Sequence, residues 1–233
     1  MLSAKGLRVY LKGIEVLRGV SLQVMKGEVV CLLGRNGAGK TTTLKTVVGF
    51  YSPQEGRVEL EGRDITFLPV HERARLGIGY TPEDLRVYPW LSARENILLA
   101  AKVAGRDEKE AMEIALSTFP ELEKLLDRKG FYLSGGEKRM VAVARALVQR
   151  PKYLLLDELL EGLAPVVAQR LSTVVRRVAK EGVGVLAAES NAVLAKALAD
   201  RVYVIERGEV IYEGSVEGAL SREDVARAIG ISA

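Results

Sequence analysis

A chain of 233 residues with 48% apolar and 27% charged residues has the balance of a folded protein with a sizeable core, which excludes disordered and fibrous classes and fits one large α/β domain. The formal net charge of +4 comes from Lys and Arg scattered among Asp and Glu, without the basic block and interleaved aromatics of a nucleic-acid binder, so no nucleic-acid partner is expected. No apolar run approaches the ~18 to 20 residues of a membrane span, and the start Met1-Leu2-Ser3-Ala4-Lys5 lacks a secretory apolar core, which suggests a cytosolic chain.

In chain order, Leu7 to Tyr10, Val20 to Val24 and Val29 to Leu33 are predicted strands, broken by Gly13, Gly19 and Lys26-Gly27, and suggest an antiparallel edge feeding a central strand. The single cysteine, Cys31, falls inside the last of these and reads as a small buried hydrophobe. A helix is predicted from Lys40 to near Gly49. Arg57 to Leu60, the turn at Glu61-Gly62-Arg63-Asp64 and Ile65 read as a hairpin, followed by a short helix around Val70 to Leu76 and a buried strand at Gly77 to Tyr80. Beyond Pro89 the pattern turns helical. Ser92-Ala93-Arg94-Glu95 is a capping box opening a helix to about Ala104, and Asp107-Glu108 opens another through about Phe119. Then come a helix from Glu137 to Gln149, an apolar strand at Tyr153 to Leu156, a helix at Pro165 to Ala179, a strand at Val183 to Ala188, and a hairpin pairing Val202 to Ile205 with Val210 to Tyr212. Short polar helices are expected from Val216 onward.

Between the predicted central strand and the Lys40 helix lies Gly34-Arg35-Asn36-Gly37-Ala38-Gly39-Lys40-Thr41, followed by Thr42. The glycines let the backbone turn its N–H groups inward, and the helix aims its positive end at the same point, so the pattern implies a nucleoside triphosphate. Lys40 can reach the β- and γ-phosphates and the Thr41 hydroxyl can ligate Mg²⁺. Asp157 and Glu158 leave the end of a buried strand, where ligands bind to an open α/β sheet. Successive residues diverge there, which suits Asp157 to the metal and Glu158 to the attacking water. Leu133-Ser134-Gly135-Gly136-Glu137 is a second anion-site pattern at a helix N-terminus, with Ser134 also able to cap the helix.

These three motifs, in this order and with a helical lobe between the first two, resemble the ATP-binding subunit of an ATP-binding-cassette (ABC) transporter along nearly the whole chain. The resemblance implies a P-loop NTPase core: a mixed, mainly parallel sheet flanked by helices, with an N-terminal antiparallel β subdomain and an inserted helical subdomain. On that basis residues 1–85 and 135–233 form the ATP-binding core and 86–134 the helical subdomain. It further implies ATP and Mg²⁺ as ligands, a second cassette subunit bound head to tail as homo- or heterodimer, and transmembrane permease subunits that hold the chain at the inner face of the membrane. Ser134, Gly135 and Gly136 would then complete the phosphate site of the partner cassette, and Tyr10 would stack on adenine, with Leu11 as the alternative because the spacing from Tyr10 to the next strand is one residue longer than is usual in the family.

Leu76 to Glu83, Arg86-Val87-Tyr88-Pro89, Gly162-Leu163-Ala164-Pro165 and Glu189-Ser190-Asn191-Ala192 resemble more closely the importers of branched-chain amino acids. Glu83 stands where most cassettes have a glutamine that touches Mg²⁺, and a carboxylate can serve there. Three departures stand out: Ser190 replaces a switch histidine near the γ-phosphate, Leu159 a proline, and Ala164 an aspartate. Serine can donate one hydrogen bond but carries no positive charge, so slow hydrolysis at this site is expected. The lone histidine, His71, lies elsewhere and reads as a surface residue. Tyr88 and Trp90 are candidate anchors for a coupling helix of the membrane subunit. The alternative from another class is a soluble cassette ATPase such as the iron–sulfur assembly type.

Overall fold

The computed structural model describes residues 1–230. Two sheets share the chain. The first is antiparallel, in the order β2-β1-β4-β5, with β1 Leu2–Leu11, β2 Ile14–Val24, β4 Glu55–Leu60 and β5 Arg63–Asp64. The second has the order β10-β9-β3-β8-β7-β6: β3 Val29–Leu33, β6 Ile78–Thr81, β7 Tyr153–Asp157, β8 Gly184–Glu189, β9 Arg201–Glu206 and β10 Glu209–Gly214. It is parallel except for the β9–β10 hairpin.

The strands β3, β7 and β8 are buried along their whole length, as expected of a parallel sheet covered on both faces. One face packs against α1 (Lys40–Val48) and the antiparallel sheet, where Leu17, Leu32, Leu44, Val58 and Leu155 meet. The other packs against α5 (Gly135–Leu147) and α6 (Pro165–Lys180), through Val143, Leu154, Leu171 and Val175. The first two strands run longer than their apolar segments suggest, because β1–β2 pairing continues through register shifts at Lys5-Gly6 and near Tyr10.

Between β6 and α5 lie α3 (Ala93–Val103), α4 (Glu108–Thr118) and two 3₁₀ turns, Pro120–Leu125 and Gly130–Tyr132. Both helices carry the expected caps: Ser92 and Glu95 form a reciprocal box, and Asp107 accepts from the Glu110 amide. Asn96 is fully buried and organises the preceding segment. Its carbonyl oxygen accepts from the Tyr88 amide at 2.8 Å, and its amide donates to the carbonyls of Tyr88, Leu91 and Ser92.

The short helix α2 (Val70–Arg75) carries an arginine that its polar sequence, Val-His-Glu-Arg-Ala-Arg, does not mark as buried. Arg73 is 1% exposed. Its guanidinium donates to the Thr46 and Val47 carbonyls at the end of α1 (2.8 and 2.7 Å) and to those of Thr66 and Leu68 (2.5 and 2.9 Å). Burial lowers its pKa to about 10, where it still carries its charge at neutral pH. The helix α7 (Ala192–Leu198), with Asn191 accepting from the Val193 amide, follows β8. α8 (Val216–Ser221) and α9 (Glu223–Ala228) end the described chain.

Candidate active site

The loop after β3 is built around close approaches that only glycine allows. A Cβ on Gly34 would collide with the Ile205 carbonyl oxygen, and Gly39, at φ 115°, would place one 2.9 Å from Leu17. The Gly34 amide donates to the Glu189 carbonyl at 3.3 Å, and the Ala38 carbonyl accepts from Gly208 in the β9–β10 turn. These contacts hold the loop over the sheet edge while the amides opening α1 keep no carbonyl partner within the helix.

Lys40 is 3% exposed and donates to the Gly34 and Arg35 carbonyls at 2.8 and 3.2 Å, with Asn36 Oδ1 at 3.5 Å. Its ammonium also lies 3.2 Å from Glu158 Oε1. Glu158 adopts φ 50°, a left-handed conformation that is uncommon for a residue with a side chain, and its amide donates to the Ala188 carbonyl at 2.9 Å. The sheet order explains the meeting: β8 lies between β3 and β7, so the loop after β3 and the turn after β7 converge across its end.

Asp157 is almost fully buried. Its Oδ1 accepts from the Thr41 hydroxyl at 3.0 Å and its Oδ2 from the Tyr80 hydroxyl at 3.1 Å. Burial pushes the Asp157 carboxyl up, opposed by those two hydrogen bonds, while the carboxylates of Glu158 and Glu83 push it up further. Burial and then Asp157 likewise raise the Tyr80 phenol, which therefore stays a donor. Sequence reasoning missed Tyr80. It was legible only as a strand residue, since its reach depends on the pairing of β6 with β7.

Thr41, Glu83 and Asp157 line one cavity beside Tyr80, and Asn36, Gly37, Gly39, Lys40, Thr41, Thr42, Glu83 and Glu158 line the adjoining one together with Val16. The hydroxyl–carboxylate pair and the nearby Glu83 offer the hard oxygen donors that Mg²⁺ takes. Among the described residues no cluster of three or more His, Cys, Asp or Glu is placed to hold a metal alone.

The remaining sequence candidates stand apart from these two cavities. Ser134 caps α5: its Oγ accepts from the Glu137 amide at 3.3 Å while Glu137 Oε2 accepts from the Ser134 amide at 2.7 Å, and Gly135 and Gly136 form the first turn. The helix thus begins two residues before its expected start at Glu137, because the glycines are inside it. Tyr10 is 44% exposed on β1, its amide donating to Gln54, and from that hairpin it is Val16 that lines the cavity. Ser190 follows the end of β8 and is half-buried. Its neighbour Glu189 is fully buried, and burial pushes its carboxyl up to about 8. Glu161 is also raised, first by hydrogen bonding to Glu158 and then by burial.

Residues 17–161 match the family model described as ABC transporter. The chain belongs to the ABC transporter family. As such it is an ABC ATPase, an energising subunit that couples ATP hydrolysis to transport. It is 42% identical over 203 residues to the lipopolysaccharide export system ATP-binding protein LptB of Acidithiobacillus ferridurans, covering 86% of this chain and 84% of that one. It is 37% identical to the high-affinity branched-chain amino acid transport ATP-binding protein BraG of Pseudomonas aeruginosa, over 97% of both chains. A nucleotide-free ATP-binding cassette from an ABC transporter superposes with a TM-score of 0.89 at 29% identity, covering 100% of this chain and 99% of the other. The dimeric cassette MJ0796, in a post-hydrolysis state with ADP and Pi, does so with a TM-score of 0.83 at 26% identity, covering 93% and 99%. This ABC ATPase therefore has the expected fold, antiparallel β subdomain and helical insert included. No helix among its described residues is long and apolar enough to cross a membrane.

Proposed function

We propose that this ABC ATPase hydrolyses ATP between two head-to-tail cassettes to drive import of branched-chain amino acids through separate permease subunits. The convergence of Lys40, Glu158, Asp157 and Thr41 across the end of β8 carries the catalytic reading. Gly34 to Thr42 cradle the phosphates through their amides, Lys40 binds the β- and γ-oxygens, and Glu158 orients and polarises the attacking water. Thr41 and Asp157, with Glu83, would hold Mg²⁺, which would supply charge neutralisation at the phosphoryl group. Tyr10 stacks on adenine, and Ser190 faces the γ-phosphate in place of a histidine.

Ser134 to Gly136 act on the partner's nucleotide. Ser134 already caps its own helix, whose N-terminus offers further amides to a phosphate. The dimeric ADP-bound relative supports the pairing of two cassettes. On this reading residues 1–85 and 135–233 are the catalytic core and 86–134 the lobe that receives the permease.

Support for the permease surface comes from a groove of about 240 Å³ lined by Val48, Phe50, Val70, Tyr80, Leu85 and Arg145. Beside it, Tyr88 is exposed under the Arg145 guanidinium, and on the same lobe Trp90 is 76% exposed and stacks on Phe131 at 6.3 Å. Docking there keeps the chain on the cytoplasmic face of the membrane.

The likeness to BraG and the motifs around Glu83 and Ser190 favour amino-acid import. The likeness to LptB favours a second reading, lipopolysaccharide export. Proteoliposomes containing the chain and its co-purifying permease subunits separate the two. ATP-driven leucine uptake is expected, and lipopolysaccharide extraction without leucine movement would overturn import.

A further inference from the structure

Glu189 ends β8, the strand lying between the one that feeds the phosphate loop and the one that ends in Asp157. It touches both sides. Its carbonyl accepts from the Gly34 amide at 3.3 Å, and its side-chain Oε1 accepts from the Leu160 amide at 3.3 Å. The preceding residue, Ala188, accepts from the Glu158 amide at 2.9 Å. Two consecutive residues of β8 therefore hold the turn Glu158 to Leu160 at both ends.

We infer that Glu189 is a positioning residue for ATP hydrolysis, its side-chain hydrogen bond to the Leu160 amide fixing the turn that aims Glu158. The inference rests on the reading of Glu158 as the group that polarises water. Three features support it. Glu158 sits at φ 50°, and a side-chain-bearing residue keeps such a conformation only where its surroundings over-determine it. The Ala188 bond fixes the start of the turn; among the described residues nothing but Glu189 is paired with the amide two residues on. Finally, Glu189 is 0% exposed and its Oε2 is buried without a partner among the described residues. A core position gains nothing from a half-satisfied carboxyl that an aliphatic side chain would fill more cheaply, so the acceptor aimed at Leu160 is what the residue contributes.

The effect travels through geometry. Lys40 Nζ lies 3.2 Å from Glu158 Oε1, and an unanchored turn leaves the carboxylate free to follow its ammonium partner instead of holding one aim. Misplacing a catalytic group by ~1 Å costs about 100-fold in rate, so a loss of roughly 10- to 100-fold in kcat is expected when the bond is removed.

The test compares Glu189→Gln, which keeps a carbonyl acceptor, with Glu189→Leu and Glu189→Met, which fill the space without one. Steady-state ATPase, nucleotide affinity and thermal unfolding are measured on each. Glu189→Gln is expected to retain kcat within about 3-fold, whereas the apolar variants lose kcat with KM for ATP and Tm little changed. Unchanged kcat in the apolar variants overturns the inference. So does a Gln variant as impaired as they are, which would show that an acceptor at this position is not enough. Unfolding of both apolar variants also overturns it, by making the residue a fold determinant only. Glu158→Gln, measured alongside, keeps the two readings apart: full turnover in that variant refutes the role of Glu158 whatever Glu189 does.

Discussion

Lys40 Nζ lies 3.2 Å from Glu158 Oε1, and the two side chains are 3% and 10% exposed. The residue proposed to bind phosphate and the one proposed to polarise water are thus each other's charge partners. Replacing Glu158 by Gln removes negative charge from beside the phosphate site, so ATP binding is expected to hold or tighten. Loss of a general base lowers turnover by ~10² to 10⁴-fold. Single-turnover ATPase assays with a nucleotide-affinity titration check both halves, and near-normal turnover would reassign the base.

Tyr80 is expected to act on metal affinity. Its hydroxyl holds Asp157 Oδ2 while Thr41 holds Oδ1. Tyr80→Phe frees one oxygen and loosens the carboxylate, and partners of this kind are typically worth about 10- to 100-fold in metal affinity. The Mg²⁺ concentration for half-maximal ATPase should rise within that range. An unchanged value would show that Tyr80 serves packing alone.

Two substitutions separate the cap that Ser134 forms from the role on the partner's nucleotide proposed for it. Ser134→Ala removes the cap, for a loss of about 1 kcal/mol in chemical denaturation. Ser134→Asp keeps a cap acceptor but sets a carboxylate against the partner's phosphate. It should leave stability near the parent's and abolish ATP-dependent dimerisation in light scattering. Dimerisation by the Asp variant would remove Ser134 from the site.

Ser190 lacks the reach and charge of the histidine common at its position, so Ser190→His is expected to raise kcat for ATP. Unchanged or reduced turnover counts against slow hydrolysis being caused by this residue.

A pH-dependent term comes from Glu61, which pairs with Lys26 at 2.6 Å and Lys152 at 2.9 Å and so ties the turn before β3 to the segment before β7. These partners lower its pKa to about 2, the Lys26 hydrogen bond contributing most. A depressed carboxylate stabilises the fold above its unfolded value near 4.5 and loses that contribution as pH falls toward 2. Glu61→Gln should therefore lower Tm slightly at pH 7. The gap to the parent should narrow on acidification and with added salt, since the pairs are solvent-accessible. A gap independent of pH would exclude the ion pairs as its source.

The sequence made the loop from Gly34 to Thr42 and the pair Asp157-Glu158 readable because each is a run of adjacent residues whose chemistry depends on local backbone. Tyr80, Glu189 and Asn96 were not readable as functional or organising groups, since each acts across a gap in sequence that only strand order or helix packing closes. Arg73 was hidden for a different reason. An arginine in a short charged helix predicts solvent exposure, and nothing local announces that four carbonyls await it. Likewise Ser134 was legible as cap and as phosphate ligand at once, and the fold of one chain displays the cap.

The four carbonyls around Arg73 are neutral dipoles, and the guanidinium has no carboxylate within ion-pair distance among the described residues. Mobile ions screen exposed charge pairs, but they do not reach a buried cation bonded to backbone oxygens. The joint between the end of α1 and the start of α2 is accordingly insulated from ionic strength. Since α1 begins at the phosphate loop, and Val48 at its end and Val70 at the start of α2 both line the groove, the path from nucleotide to groove holds its shape in salt concentrations that would dissolve the pairs at Glu61.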